Sequence, residues 1–201
     1  MTKANWMRPM FCVAAVGAFV AAASPACKTT GVGDPCTPEQ EYDATFTGFD
    51  IKQVIAESKS LQCLTRVCLV HHFRGRVSCP YGQTMVNGGC TIPGTADVIS
   101  GDPDLPEATR AVVKPQCLDR RADNAVYCSC RCANANGATD DGANYCSCPD
   151  GFTCAQVYPP TGLGNEGLTG GYCVKAGTEF NTAAANCVNE CSATAKNCQG
   201  I

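Results

Sequence analysis

The sequence predicts a small disulfide-rich fold, mainly β and irregular, with one short C-terminal helix. Three observations carry that prediction. Cysteine supplies 18 of the 201 residues, a density that belongs to disulfide scaffolds. The apolar runs after the N-terminus are short and partly β-branched, and clusters of Gly, Pro, Asn and Asp fence them off, as strands and turns require. The run Thr182 to Lys196 is Ala-rich, with Asn181 or Thr182 available as N-cap and Gly200 beyond it, which fits a helix. Charge is sparse at 16%, and 18 acidic residues against 15 basic give a net charge of −3 with no polybasic run. That balance argues against nucleic acid as a partner.

Residues 1–26 read as a secretory signal peptide. Lys3 and Arg8 precede Met10 to Ala23, an unbroken apolar run of 14 residues, and small residues follow it. A membrane span needs roughly 20 such residues, so the run is an export signal rather than a span. Ser24-Pro25-Ala26-Cys27 resembles the lipobox of bacterial lipoproteins, although Ser24 stands where that family usually has an aliphatic residue. The resemblance implies lipidation of Cys27, and Lys28 after it implies sorting to the outer membrane of a Gram-negative bacterium. Cleavage without lipidation, giving a secreted chain, is the competing reading. Cysteine parity favours the lipid. Loss of Cys12 with the signal leaves 17, and a lipidated Cys27 leaves 16, an even number with no stranded thiol. Removal of Lys3 and Arg8 leaves 18 acids against 13 bases, a net charge of −5 for the exported chain.

Residues 27–45, rich in Gly, Pro and Thr, read as a tether. Residues 46–100 read as a β-rich cysteine-containing module. Val67 to Val70 is its clearest strand, and Gly75 between Phe73-Arg74 and Arg76-Val77 suggests a hairpin tip. Residues 93–106 are rich in Pro, Gly and Asp and form the best boundary. Residues 101–201 read as a cysteine-dense module carrying the C-terminal helix, with Cys187 and Cys191 on one helix face. The disulfide candidates are Cys36, Cys63, Cys68, Cys79 and Cys90 before the boundary. After it come Cys117, Cys128, Cys130, Cys132, Cys146, Cys148, Cys154, Cys173, Cys187, Cys191 and Cys198. Five and eleven are both odd, so at least one bridge is expected to cross the boundary. The closely spaced cysteines at 128, 130 and 132 and at 146 and 148 are expected to reach separate partners. Connectivity stays open, because sixteen cysteines allow far too many pairings.

Motifs with possible chemistry are few. Gly162-Leu163-Gly164-Asn165-Glu166-Gly167 matches a dinucleotide fingerprint, but Pro159-Pro160 before it and Thr169-Gly170-Gly171 after it leave no strand or helix to serve it. It reads as a loop. Cysteine-bound metal is disfavoured in an exported chain, where thiols oxidise. No cofactor is called for, and no Cys-x-x-Cys supports redox catalysis. His71 and His72 are the only histidines, and on a surface strand they would face opposite ways. No catalytic constellation gathers around them, so a non-enzyme is expected. Arg66, Arg74 and Arg76 make a local basic cluster with anion binding as its functional reading. Asn134, Asn136, Asp140, Asp141 and Asn144 are oxygen-rich, but no EF-hand register fits them, and Asx turns account for the composition.

Cys146-Ser147-Cys148-Pro149-Asp150-Gly151-Phe152-Thr153-Cys154 resembles the end of an EGF-like module and part of a trypsin-inhibitor-like cysteine-rich domain. With the lipobox-like Cys27 and the Gly-Asp-Pro-Cys tether, the layout resembles cysteine-rich lipoproteins of Gram-negative bacteria. The resemblance implies a cell-envelope protein anchored by lipid and acting as a non-catalytic binding or structural module for a protein or glycan partner. The alternative is a secreted protease inhibitor or EGF-like interaction module, with Tyr158 to Gly171 as the exposed loop.

Overall fold

The computed structural model describes residues 31–83, 90–99, 113–159, 167–181, 187–195 and 197–198. Strands β1 (Val54–Glu57) and β2 (Val67–His71) form a hairpin, and β3 (Val126–Ser129) pairs with β2 to complete an antiparallel sheet of order β1-β2-β3. A one-turn helix α1 (Ala122–Ala125) leads into β3, and β4 (Arg131–Ala133) follows it. The second sheet has order β4-β6-β5, from β5 (Phe152–Tyr158) and β6 (Gly170–Lys175). The fold is thus small, mainly β and disulfide-rich.

The β alternation of side chains sorts these strands into layers. Leu69 of β2 and Tyr127 of β3, direct partners in register, face Tyr172 and Val174 of β6 and form the buried layer between the sheets. Cys68, Val70, Val126 and Cys128 point the other way, into a second core with Phe49, Phe73, Val77, Ala122 and Ala125. The first sheet is therefore covered on both faces. Cys173 of β6 packs with Cys130, Cys132, Cys146 and Cys148, so sulfur takes the place of a hydrocarbon core on the far side of the second sheet.

All sixteen candidate cysteines pair. The bridges are Cys36–Cys68, Cys63–Cys128, Cys79–Cys90, Cys117–Cys187, Cys130–Cys146, Cys132–Cys154, Cys148–Cys173 and Cys191–Cys198. The closely spaced cysteines do reach separate partners. Cys63–Cys128 crosses the Pro/Gly/Asp-rich stretch, as the odd counts require, and the β2–β3 pairing crosses it as well. Eight bridges are the mark of an exported protein, since reducing compartments keep thiols open. No helix among the described residues is long and apolar enough to cross a membrane.

Three local expectations change. Residues 31–45, read as tether, are built into the body. Gly33 N–H donates to the Cys128 carbonyl at 2.8 Å, Cys128 N–H donates to the Asp34 carbonyl at 2.7 Å, and Glu41 in a 3-10 turn (Glu39–Tyr42) is fully buried. Gly75 is no hairpin tip. It pairs with Phe49 and adopts φ +92°, and a Cβ there would lie 2.4 Å from the Lys114 carbonyl oxygen, so only glycine fits this crossing. The expected C-terminal helix falls partly outside the described residues. Over 187–195 the chain instead runs through bends, a bridge between Glu190 and Cys117, and turns. The physical reason is that Cys187 and Cys191 are drawn to different partners, Cys117 and Cys198, while Asn189 between them has φ +65°.

Candidate functional site

The connection between β1 and β2, residues 58–66, protrudes and is rigidly held. Cys63–Cys128 anchors its middle and Cys36–Cys68 anchors the start of β2. Gln62 pairs in both directions with the backbone of Thr37, accepting from its N–H at 3.0 Å and donating to its carbonyl at 2.8 Å. Within the loop, Arg66 N–H donates to the Cys63 carbonyl at 2.9 Å and Ser60 N–H to the Arg66 carbonyl at 3.1 Å. This frame holds two leucines out of the core: Leu61 is 85% and Leu64 71% exposed. They are the most exposed large apolar side chains among the described residues. Tyr42, 51% exposed, lines an open groove of about 440 Å³ together with Leu61, Ser60, Glu39, Glu57 and Lys59. Glu57 accepts the Glu39 N–H at 2.9 Å, which brings the two acidic residues together at one rim. Ser60 is 97% buried, being 3% exposed, yet its hydroxyl makes no hydrogen bond among the described residues.

The two histidines do not face opposite ways. His71 ends β2, and His72 takes φ +52°, which breaks the alternation and brings the rings to 4.9 Å, edge to face. Arg120 fixes the pair. Its Nε donates to the His72 carbonyl and one Nη2 bond reaches the His71 carbonyl, both at 2.6 Å; Nη1 donates to the Thr178 carbonyl at 2.9 Å. Nη2 also lies 3.3 Å from His71 Nδ1, and a donor there requires a lone pair on that nitrogen. Phe180 stacks on His72 at 3.7 Å. Burial, then Arg120 and then His72, holds the His71 imidazole down at about 3. Burial also lowers His72, followed by Arg120, while a 2.9 Å bond to the Ile51 carbonyl opposes them. Both rings are thus neutral at neutral pH and face a cleft of about 210 Å³ with Gln156 and Glu179. His71 is buried, so this is an internal polar knot rather than a surface strand.

The proposed arginine cluster is dispersed. Arg76 is fully buried. It donates to Glu41 Oε2 at 3.4 Å, to the Phe46 carbonyl at 2.7 Å, to the Asp43 carbonyl at 3.2 Å and to the Glu41 carbonyl. Arg74 pairs with Glu190 at 2.7 Å, and Arg66 is exposed at the end of the 58–66 loop. The expectation failed because Gly75 lies in a buried crossing, which draws Arg76 inward, rather than at a solvated tip. In the oxygen-rich loop, Asn134 Oδ1 accepts the N–H groups of Asn136 and Ala138, both at 2.9 Å. Asp141 accepts from Tyr145 Oη at 2.7 Å, Asn134 Nδ2 at 3.0 Å and Ala143 N–H at 3.1 Å. Those bonds, Tyr145 first, push the Asp141 carboxyl down to about 2. Its oxygens serve the loop's own donors, the arrangement of Asx turns.

Sulfurs of neighbouring bridges gather within 4.8 Å, as in Cys36, Cys63 and Cys128, and again around Cys173. Bonded as disulfides they are not the thiolates that bind metal. Cys27 and most of the glycine-rich stretch 162–167 lie outside the described residues, as does the centre of the Tyr158 to Gly171 loop. The base of that loop is the β5–β6 hairpin, where Cys154 and Cys173 stand opposite each other and bridge to Cys132 and Cys148. No family model matches the chain, and neither a curated protein nor a solved structure matches it. The site's chemistry therefore rests on its own residues. Sequence reasoning missed Leu61, Leu64, Glu41, Arg120 and Phe180. No local signal marks the two leucines that flank Cys63, because the bridge that holds their loop outward is not readable from the sequence.

Proposed function

We propose that this protein is a lipid-anchored binding module of the Gram-negative cell envelope, held to the outer membrane by acyl chains on Cys27 and docking a protein partner at the β1–β2 loop. One observation carries the binding reading: Leu61 and Leu64 are held in solvent by two bridges and the Gln62–Thr37 pair, although burying each would gain roughly 1.5–3 kcal/mol. A frame that keeps apolar side chains exposed and rigid lowers the entropy cost of docking. Parity supports the anchor. The other sixteen cysteines pair among themselves, which leaves Cys27 for lipid once Cys12 departs with the signal. The hydrogen bonds of His71, His72, Asp141 and Arg76 are structural ones, which supports binding over catalysis.

The test is site-specific photo-crosslinking in a Gram-negative host. Benzophenone-bearing phenylalanine replaces Leu61 in one variant and Asp150, exposed in the turn before β5, in another. A discrete higher-mass adduct from position 61 and none from position 150 is expected. Adducts from neither position, or equally from both, contradict docking at this loop.

A further inference from the structure

We infer that the groove beside the β1–β2 loop takes a segment of a partner protein that presents aliphatic side chains next to lysine or arginine. The inference rests on the binding-module reading and adds the chemistry of the partner. Apolar contact comes from Leu61 and Tyr42, which both line the groove, with Leu64 three residues further along the same loop also exposed. A volume of about 440 Å³ lies within the roughly 300–1,000 Å³ of ligand clefts.

Charge decides which aliphatic segment fits. Glu39 and Glu57 lie side by side there, and among the described residues that line the groove Lys59 is the only base, a formal balance of −1. The Glu39 carboxylate makes no hydrogen bond among the described residues, and Glu57 uses one oxygen, on the Glu39 N–H. Both keep acceptors for a cation, whose bonds to carboxylate are the stronger kind. An anionic segment would meet two carboxylates at close range and be repelled. Ser60 also lines the groove, 97% buried, with a hydroxyl that is unpartnered among the described residues.

Fluorescence anisotropy of the folded, oxidised exported chain tests this with three labelled eight-residue peptides, alternating Lys and Leu, Glu and Leu, or Lys and Ser. The Lys/Leu peptide is expected to bind at least tenfold more tightly than either of the others. Leu61→Ser with Leu64→Ser is expected to weaken it about tenfold or more. Glu39→Gln with Glu57→Gln is expected to weaken it about three- to tenfold and flatten its salt dependence. These substitutions lie on exposed or partly exposed positions, and near-ultraviolet circular dichroism verifies that each variant keeps the native packing. Binding of the Glu/Leu peptide as tight as that of the Lys/Leu peptide, with the same dependence on Leu61, overturns the charge assignment and leaves the binding module standing. Lys/Leu binding that ignores all four substitutions overturns the site. No peptide binding, combined with a crosslink from position 61, overturns this inference alone; with no crosslink, both readings fall.

Discussion

Glu41→Gln is expected to cost about 3–5 kcal/mol, the range for removing one partner of a buried ion pair. Both members are fully buried. Glu41 accepts the Val77 N–H at 2.7 Å, the Ser78 hydroxyl at 2.7 Å and the Ser78 N–H at 3.2 Å, while Arg76 binds the carbonyls of Asp43 and Phe46. The pair therefore stitches residues 41–46 to 76–78 through backbone groups that have no water to turn to. Glutamine keeps the shape but strands the guanidinium without its counter-charge. The double variant Glu41→Gln with Arg76→Met removes that stranded charge and should recover part of the loss. Full recovery is not expected, because the carbonyls of Asp43 and Phe46 lose their donor. Guanidinium unfolding with all bridges intact measures it. A loss under 1 kcal/mol in Glu41→Gln contradicts the stitching role.

The second large effect is acid lability set by His71. In the folded protein its imidazole titrates at about 3, against 6.5 in an exposed chain. Between those values the unfolded chain binds a proton that the native one refuses, so stability is complete above pH 6.5 and falls as pH drops toward 3. At ~1.4 kcal/mol for each pH unit crossed, the loss over that interval is on the order of 5 kcal/mol. His72 acts in the same direction through its own lowered value. Asp141, held near 2, starts to contribute only at the acid end. The expected result is a melting temperature that falls steadily from pH 6.5 to pH 4 in the wild type. In His71→Gln that slope should shrink to the smaller part left by His72. An unchanged slope in the variant would mean that His71 is not the group responsible.

How much of this was legible in the sequence follows from whether a signal was local. Val67 to Val70 announced β2 because a β-branched run needs no distant partner to be recognised. Cysteine density announced the class, and parity announced a bridge across the boundary, because counting needs no geometry. The start of β6 was hidden at the end of a run read as a glycine-rich loop, Tyr158 to Gly171. Its Gly170 and Gly171 are there for close approach: a Cβ would lie 2.3 Å from the Ala133 carbonyl oxygen at the first and 2.9 Å from Cys154 Sγ at the second. Arg76 looked solvated because its partner Glu41 lies 35 residues away and nothing local names it. The histidine pair was misread because strand alternation was carried one residue too far, past the point where His72 turns to positive φ. Leu61 and Leu64 look like core residues in sequence, and only the bridges that hold their loop outward show otherwise.

The fate of the cysteines separates an anchored module from a released protein. Intact mass of the protein purified from a Gram-negative envelope, with and without thiol labelling under denaturing conditions, reads them all at once. A chain beginning at Cys27, carrying acyl chains and taking up no label, is the predicted result, because sixteen cysteines in eight bridges leave no thiol. An unlipidated chain with one labelled thiol, or one joined to a second copy through a disulfide, would contradict the anchored module and make this a released protein.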